Sequence, residues 1–220
     1  MMWGLRFTVE GLYFTTFRKP VTTALIVSYS IPPFTTIRGL LSNALGLRRD
    51  DLRLQEWIRI GMRVVGNAEK SSEMAKILKL NKQVNVFTRH FSSSPMFREF
   101  LVQPVYEIFL GGEEEKIREI CSALKNPARP LYIGTSDDLV DIGENLTPME
   151  IEPIFSREIT GILEGIHENA FVEKIPYKFH MEKKRVSIEY KVVSIPEDGV
   201  VRPREPVKAY RFGDEVVWLG

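Results

Sequence analysis

The chain has 220 residues, 44% of them hydrophobic and 27% charged, with a formal net charge of +1. That apolar content supports a buried core in one large domain or two small ones. A single cysteine, Cys121, excludes an internal disulfide and a cysteine-built zinc site, and three widely spaced histidines (His90, His167, His180) make no metal motif.

No apolar run reaches the length of a membrane span, and the N-terminus lacks the basic start and continuous apolar core of a signal peptide. The expectation is a cytoplasmic protein with no membrane contact, no cofactor and no metal. The balanced net charge hides an asymmetry. Residues 1–110 carry 15 Lys and Arg against 8 Asp and Glu, and residues 111–220 carry 15 against 21. Two windows hold no acid at all, Gly11–Arg49 and Met74–Arg98. Such windows suit a face kept positive for a polyanion, where each neutralised phosphate releases counterions. The acidic half suits basic protein partners.

In chain order, Leu5–Arg18 reads as a strand, or two joined at Gly11, where the shift in phase suggests a bulge. Ala24–Tyr29 is extended and leads through Pro32-Pro33 into a helix. In that helix Thr35 is the expected N-cap, Ile37, Leu40, Leu41, Ala44 and Leu45 the buried stripe, and Gly46 the left-handed stop. Its other face carries Thr36, Arg38, Gly39, Ser42 and Asn43, which is small, polar and cationic. Ile58, Ile60, Met62 and Val64 alternate as a second strand ended by Gly66-Asn67, and Phe100–Leu110 is a third, with Pro104 marking an edge or bulge.

Glu113–Lys125 is a second helix with Ile117, Ile120, Cys121 and Leu124 on its buried side, and Leu131–Ile133 is a short fourth strand. The order strand, helix, strand, strand, helix, strand is that of a ferredoxin-like α+β fold. The stretch 66–97 interrupts it where a short turn is normal. A basic insertion of that length is a candidate functional loop.

From about residue 143 the pattern changes to short antiparallel strands. Val172–Met181 and Arg185–Ile195 flank a turn at Glu182-Lys183-Lys184, with Val186, Ile188, Tyr190 and Val192 on one face. Val207–Phe212 and Glu215–Leu219 flank a turn at Gly213-Asp214. The expected organisation is a ferredoxin-like domain over 1–142, with the insertion at 66–97, and a small β-rich lobe over 143–220.

Three stretches carry a family resemblance: Phe17-Arg18-Lys19-Pro20, then SYSIPPFTTIRGLLSNALGL (28–47), then PLYIGTSDDLVDI (130–142). Together they resemble the fifth Cas protein family, the subunit of type I CRISPR effector complexes (Cascade) that holds the 5′ handle of CRISPR RNA. The resemblance implies an RRM-like domain of the RAMP class. It implies that 66–97 is the family's β-hairpin thumb, which lies over a kinked nucleotide beside the handle. It also implies a handle-binding surface at Arg18, Lys19, Thr35, Thr36 and Arg38, and as partners the repeated backbone subunit and the large subunit of Cascade.

The second acid-free window adds Lys76, Lys79, Lys82, Arg89, His90, Phe91 and Arg98 as RNA contacts, with Arg89, His90 and Phe91 offering planes on which bases stack. One subfamily cuts precursor RNA without metal, using Tyr, Lys and His; the nearest candidates here are Tyr29, Lys82 and His90. Asp137, Asp138 and Asp141 read as turn and capping residues rather than metal ligands, and no phosphate-binding Gly-x-x-x-x-Gly-Lys loop is present. Three functions follow as expectations: a non-catalytic RNA-holding subunit, a repeat-processing ribonuclease, or a module for protein contacts alone. In the first two, Arg18, Arg38 and the 74–98 stretch share one face.

Overall fold

The computed structural model describes residues 2–21, 25–66, 69–79, 92–182 and 185–220. β1 (Met2–Gly11) is followed by two short strands, β2 (Phe14–Thr15) and β3 (Leu25–Ile26). Helix α1 (Phe34–Ala44) leads through the single turn α2 (Leu54–Trp57) into β4 (Ile58–Val65). Then come β5 (Glu69–Lys79), β6 (Ser92–Val102), β7 (Val105–Gly112) and helix α3 (Glu114–Lys125). The remaining strands are β8 (Val140–Ile142), β9 (Met149–Ser156), β10 (Ile159–Thr160), β11 (Leu163–Glu164) and β12 (Ala170–Glu182), then β13 (Arg185–Pro196), β14 (Val200–Val201), β15 (Val207–Phe212) and β16 (Glu215–Val217). The protein is mixed α+β, mostly sheet with few helices.

The largest sheet runs β14-β10-β16-β15-β9-β1-β7-β4, with β8 also on β1. β7 lies between β1 and β4 and is antiparallel to both. β8 and β9 take turns along the other edge of β1, beside Val9–Gly11 and Met2–Gly4. Leu5, Phe7 and Val9 of β1, Ile58, Ile60 and Met62 of β4, and Tyr106, Ile108 and Leu110 of β7 face one core with the stripes of α1 and α3. Each fully buried aliphatic side chain there contributes about 1.5–3 kcal/mol.

The opposite face is covered by the sheet's own far end. Phe109 of β7 packs with Ile151, Tyr210, Phe212, Val217 and Leu219. Ile162, just past β10, donates to the Met62 carbonyl (2.9 Å), and Ile60 exchanges two 3.0 Å backbone bonds with Gly220. The sheet therefore curls until its two ends meet at β4. Within the curl Glu107 takes both Arg6 and Arg63, and Glu215 takes Arg63 at 2.6 Å and Arg6 at 3.0 Å. β9, β10 and β14–β16 thus continue the sheet of the N-terminal half, whereas β11, β13 and β12 form a separate three-stranded sheet in that order.

Several local expectations are corrected. Of the two readings at Gly11, two strands hold and the bulge does not: Gly11 ends β1, and the chain crosses to a second sheet, where β2 pairs with β6. The stretch expected as one strand over 100–110 is two, because Gln103 turns to a φ of 42° and Pro104 brings no N–H. β6 joins the second sheet and β7 the first. Leu131–Ile133 makes only a bridge from Tyr132 to Leu139, and the strand beside β1 is β8. The apolar signal at Leu131 and Ile133 came from burial, not pairing.

Helix α1 begins two residues early. Pro33 stands at its N-cap without a side-chain cap, and Thr35 lies inside the first turn. Its end is as expected: Gly46 has φ 69°, its N–H reaches the Asn43 carbonyl (3.2 Å), and Leu47 N–H reaches Ser42 (3.0 Å), a Schellman closure. In β13 the apolar face at Val186 and Val192 is exposed, while Val193, Ser194 and Ile195 are buried. The 3.6-residue stripes of α1 and α3 and the alternation of β4 are as expected.

Candidate nucleic-acid interface

A second, four-stranded sheet runs β2-β6-β3 with β5 also on β6. β5 and β6 pair antiparallel from Glu69–Val102 to Lys79–Ser92. On its other edge β6 takes β2 (Phe14 opposite Val102) and, parallel, β3 (Leu25 opposite Phe97). The first acid-free window supplies β2 and β3. The second supplies the facing parts of β5 and β6. Parts of the two windows therefore meet in one small sheet, while Arg38, Arg48 and Arg49 of the first window lie outside it, so Arg38 does not share the expected face with Arg18 and the 74–98 stretch.

The motif at 17–19 lies against 27–29. Lys19 N–H donates to Val27 (2.7 Å), Tyr29 N–H to Phe17 (2.8 Å), and Arg18 bridges Ser28. Arg18 is exposed. Lys19 points inward instead, with Nζ 2.5 Å from Glu173 and 5.0 Å from the centre of the Tyr29 ring. Burial first, then Tyr190 and the charge of Glu173, push the Tyr29 hydroxyl up to about 12. Tyr29 is 5% exposed, so it stays protonated at neutral pH and is a poor base.

Arg98 Nε donates to Thr16 Oγ1 (3.1 Å), and Nη2 reaches Asp138 Oδ1 (3.4 Å). The other oxygen of Asp138 accepts from the N–H groups of Thr16 (2.9 Å) and Thr135 (3.0 Å). Asp138 is therefore a turn residue, as expected, and also the tether of the 134–138 turn to the small sheet. Lys76 is exposed. Beside it Leu25, Phe97 and Met74 form a row across three strands, 43%, 56% and 65% exposed. Sequence reasoning missed this row. Its signal was apolar residues inside acid-free windows.

Arg38 is a correction. It was expected on the solvated face of α1, but it is 5% exposed. It donates to the Tyr177 carbonyl and stacks 5.2 Å from the centre of that ring. Nε and Nη2 have no hydrogen-bond partner among the described residues, and burial lowers its pKa. It lines a cavity of about 290 Å³ with Thr35 and Phe179, and it contacts none of Arg18, Lys76 and Arg98. Thr35 and Thr36 are half-buried in the first turn. Lys79 lies in β5 opposite Ser92. Lys82, Arg89, His90 and Phe91 lie outside the described residues, as do Lys183 and Lys184 of the expected hairpin turn. Among the described residues no group of three or more His, Cys, Asp and Glu could hold a metal ion, and no helix is long and apolar enough to cross a membrane.

Residues 4–198 match the family described as CRISPR-associated protein (Cas_Cas5). The chain belongs to the Cas5 family. A role in CRISPR defence follows from that membership. Solved structures agree in fold. A chain of a CRISPR RNA-guided surveillance complex is 15% identical, with 92% of this chain and 91% of that one covered and a TM-score of 0.58. A CRISPR protein from Archaeoglobus fulgidus is 17% identical over 100% of this chain and 99% of its own, also at 0.58. A chain of a type III-B Cmr-beta complex bound to cognate target RNA and AMPPnP is 12% identical over 90% and 86%, at 0.54. No curated protein sequence matches the chain. The match of this Cas5 protein extends past β13, so the family pattern takes in most of the C-terminal strands as well.

Proposed function

We propose that this Cas5 protein is a non-catalytic RNA-binding subunit of a type I CRISPR surveillance complex and holds the 5′ handle of CRISPR RNA. The observation that supports the reading is that residues 14–15 and 25–26 of the first acid-free window and 74–79 and 92–98 of the second meet in the β2-β6-β3 sheet with β5. There Arg18, Lys76 and Arg98 serve the phosphates, and the exposed row of Leu25, Phe97 and Met74 packs on bases. In this reading α1, α3 and the strands β1, β4, β7 and β8 are the ferredoxin-like unit, with strand order β8-β1-β7-β4. The paired β5 and β6 are the base of the thumb. Lys19 and Arg38 of the family motif then act from inside, by fixing 17–19 and α1 against β12. The acidic C-terminal half faces protein subunits, with the repeated backbone subunit and the large subunit as the expected neighbours.

The test is a labelled CRISPR repeat RNA mixed with the purified chain in chelator at two salt concentrations, read by gel shift and by denaturing gel. Salt-sensitive binding without cleavage is expected. Discrete cleavage at one site would overturn the non-catalytic reading and put His90 and Lys82 first for substitution. Binding no tighter than to an unrelated RNA, at any salt, would remove handle recognition and leave a module for protein contacts.

A further inference from the structure

Gly39 stands in the middle of α1, where glycine weakens a helix relative to alanine. Packing does not require it: a Cβ built there meets nothing within 4 Å. The glycine instead lies on the floor of a cleft of about 770 Å³, shared with Ser42. That volume falls within the range, about 300–1,000 Å³, of sites that enclose a ligand. The walls are the loop after α1 and the segment after α3, and they bring three guanidinium groups, Arg48, Arg49 and Arg129, together with the ring of Tyr132.

Arg129 is held in place by donating to the carbonyls of Leu47 (3.0 Å) and Gly46 (3.3 Å) at the end of α1. It thereby offsets the negative end of that helix dipole. Arg48 pairs with no carboxylate among the described residues. Arg49 is 95% exposed, and its contact with Asp50, the one carboxylate of the lining, is 3.8 Å long. Tyr132 is 39% exposed. The wall that carries Tyr132 also joins the cleft to the small sheet, because Asp138 in the same segment is bonded to Thr16 and Arg98.

We propose that this cleft is a second binding site for single-stranded RNA. It takes a short stretch whose phosphates lie on Arg48, Arg49 and Arg129, with one base stacked on Tyr132 and the backbone passing close over Gly39. The proposal rests on the RNA-binding reading above and extends it past the small sheet. Guanidinium groups and an aromatic face around a bare helix backbone are the elements that hold single strands without reading a duplex. The bland alternative is a solvated concavity with scattered arginines. It leaves the unforced glycine unexplained.

The test compares the native chain with Gly39→Gln, which fills the floor without touching the protein, and with the double variant Arg48→Glu, Arg49→Glu. Two probes are used: a labelled CRISPR repeat RNA for affinity, and a 4-thiouridine tetranucleotide for photocrosslinking, mapped by peptide mass. Thermal midpoints are recorded for all three proteins. Expected are a midpoint for Gly39→Gln equal to or above the native one, a loss of repeat-RNA affinity of tenfold or more in both variants, and a tetranucleotide crosslink in the segment holding Tyr132.

Repeat-RNA affinity unchanged in both variants, with no crosslink near Tyr132, overturns the cleft and leaves the small-sheet interface standing. A crosslink at Tyr132 without specific repeat-RNA binding keeps the cleft as a site and overturns handle recognition. No binding of either probe overturns both.

Discussion

In the curled sheet Ile60, Ile108 and Leu110 have no exposed surface, whereas in the four-stranded sheet Leu25, Phe97 and Met74 expose 43%, 56% and 65% of theirs. Both sheets use apolar side chains in cross-strand register. In the first, two helices and the sheet's own far end cover them, and the charged groups inside are paired. In the second, nothing among the described residues covers the row. One sheet is held by what it buries, and the other presents a surface of the kind that a ligand completes.

That contrast can be broken at its strongest point first. Ile108→Ala removes a fully buried side chain between two strands and two helices and should cost about 2–5 kcal/mol, read from denaturant unfolding. A cost under about 1 kcal/mol would mean that this region is not the core. Glu107→Ala leaves Arg6 and Arg63 sharing Glu215 as the one remaining carboxylate among the described residues. It should cost about 3 kcal/mol, the lower end for breaking a buried pair, because Arg6 stays 41% exposed and can hydrate.

In the small sheet the effects should move from stability to binding. Phe97→Ala should leave unfolding within about 0.5 kcal/mol of native while weakening RNA by about 1–3 kcal/mol, the cost of losing one stacked base. Equal losses in both measurements would make the row structural. Lys76→Ala should have the smallest effect. The slope of log affinity against log salt should shrink by about 0.7, the value for one phosphate contact on a single strand, and stability should not move. An unchanged slope would take Lys76 off the RNA path.

The same contrast explains how much could be read from the sequence. The stripes of α1 and α3 follow a period of 3.6 because the core takes one side of each helix, and β4 alternates with a period of 2 because its aliphatic residues face the helices while Arg59, Gly61 and Arg63 lie under the curl of the sheet. The order of the central strands was legible for that reason. The break at Gln103-Pro104 was hidden, since the residues on both sides favour strands and only the pairing partner changes. The curl of the C-terminal strands onto β4 was also hidden, because backbone bonds such as Ile162 to Met62 leave no mark on residue type. At the interface, acid-free windows located the small sheet, but charge alone could not separate Arg18 and Lys76 at the surface from Lys19 and Arg38 inside. That distinction depends on Glu173, 154 residues beyond Lys19, and on the Tyr177 carbonyl, 139 residues beyond Arg38.

One consequence lies at β12, which forms the outer edge of its three-stranded sheet. The Gln55 side chain donates to the Phe179 carbonyl (3.0 Å) and accepts from its N–H (2.7 Å), and Arg38 donates to the carbonyl two residues back. The amide of Gln55 thus stands where the main chain of a neighbouring strand would stand. An edge occupied in this way has no free ladder over 177–179 to offer a second molecule. The contact guards against strand-to-strand aggregation at a place where Met181 and Val186 leave the edge apolar.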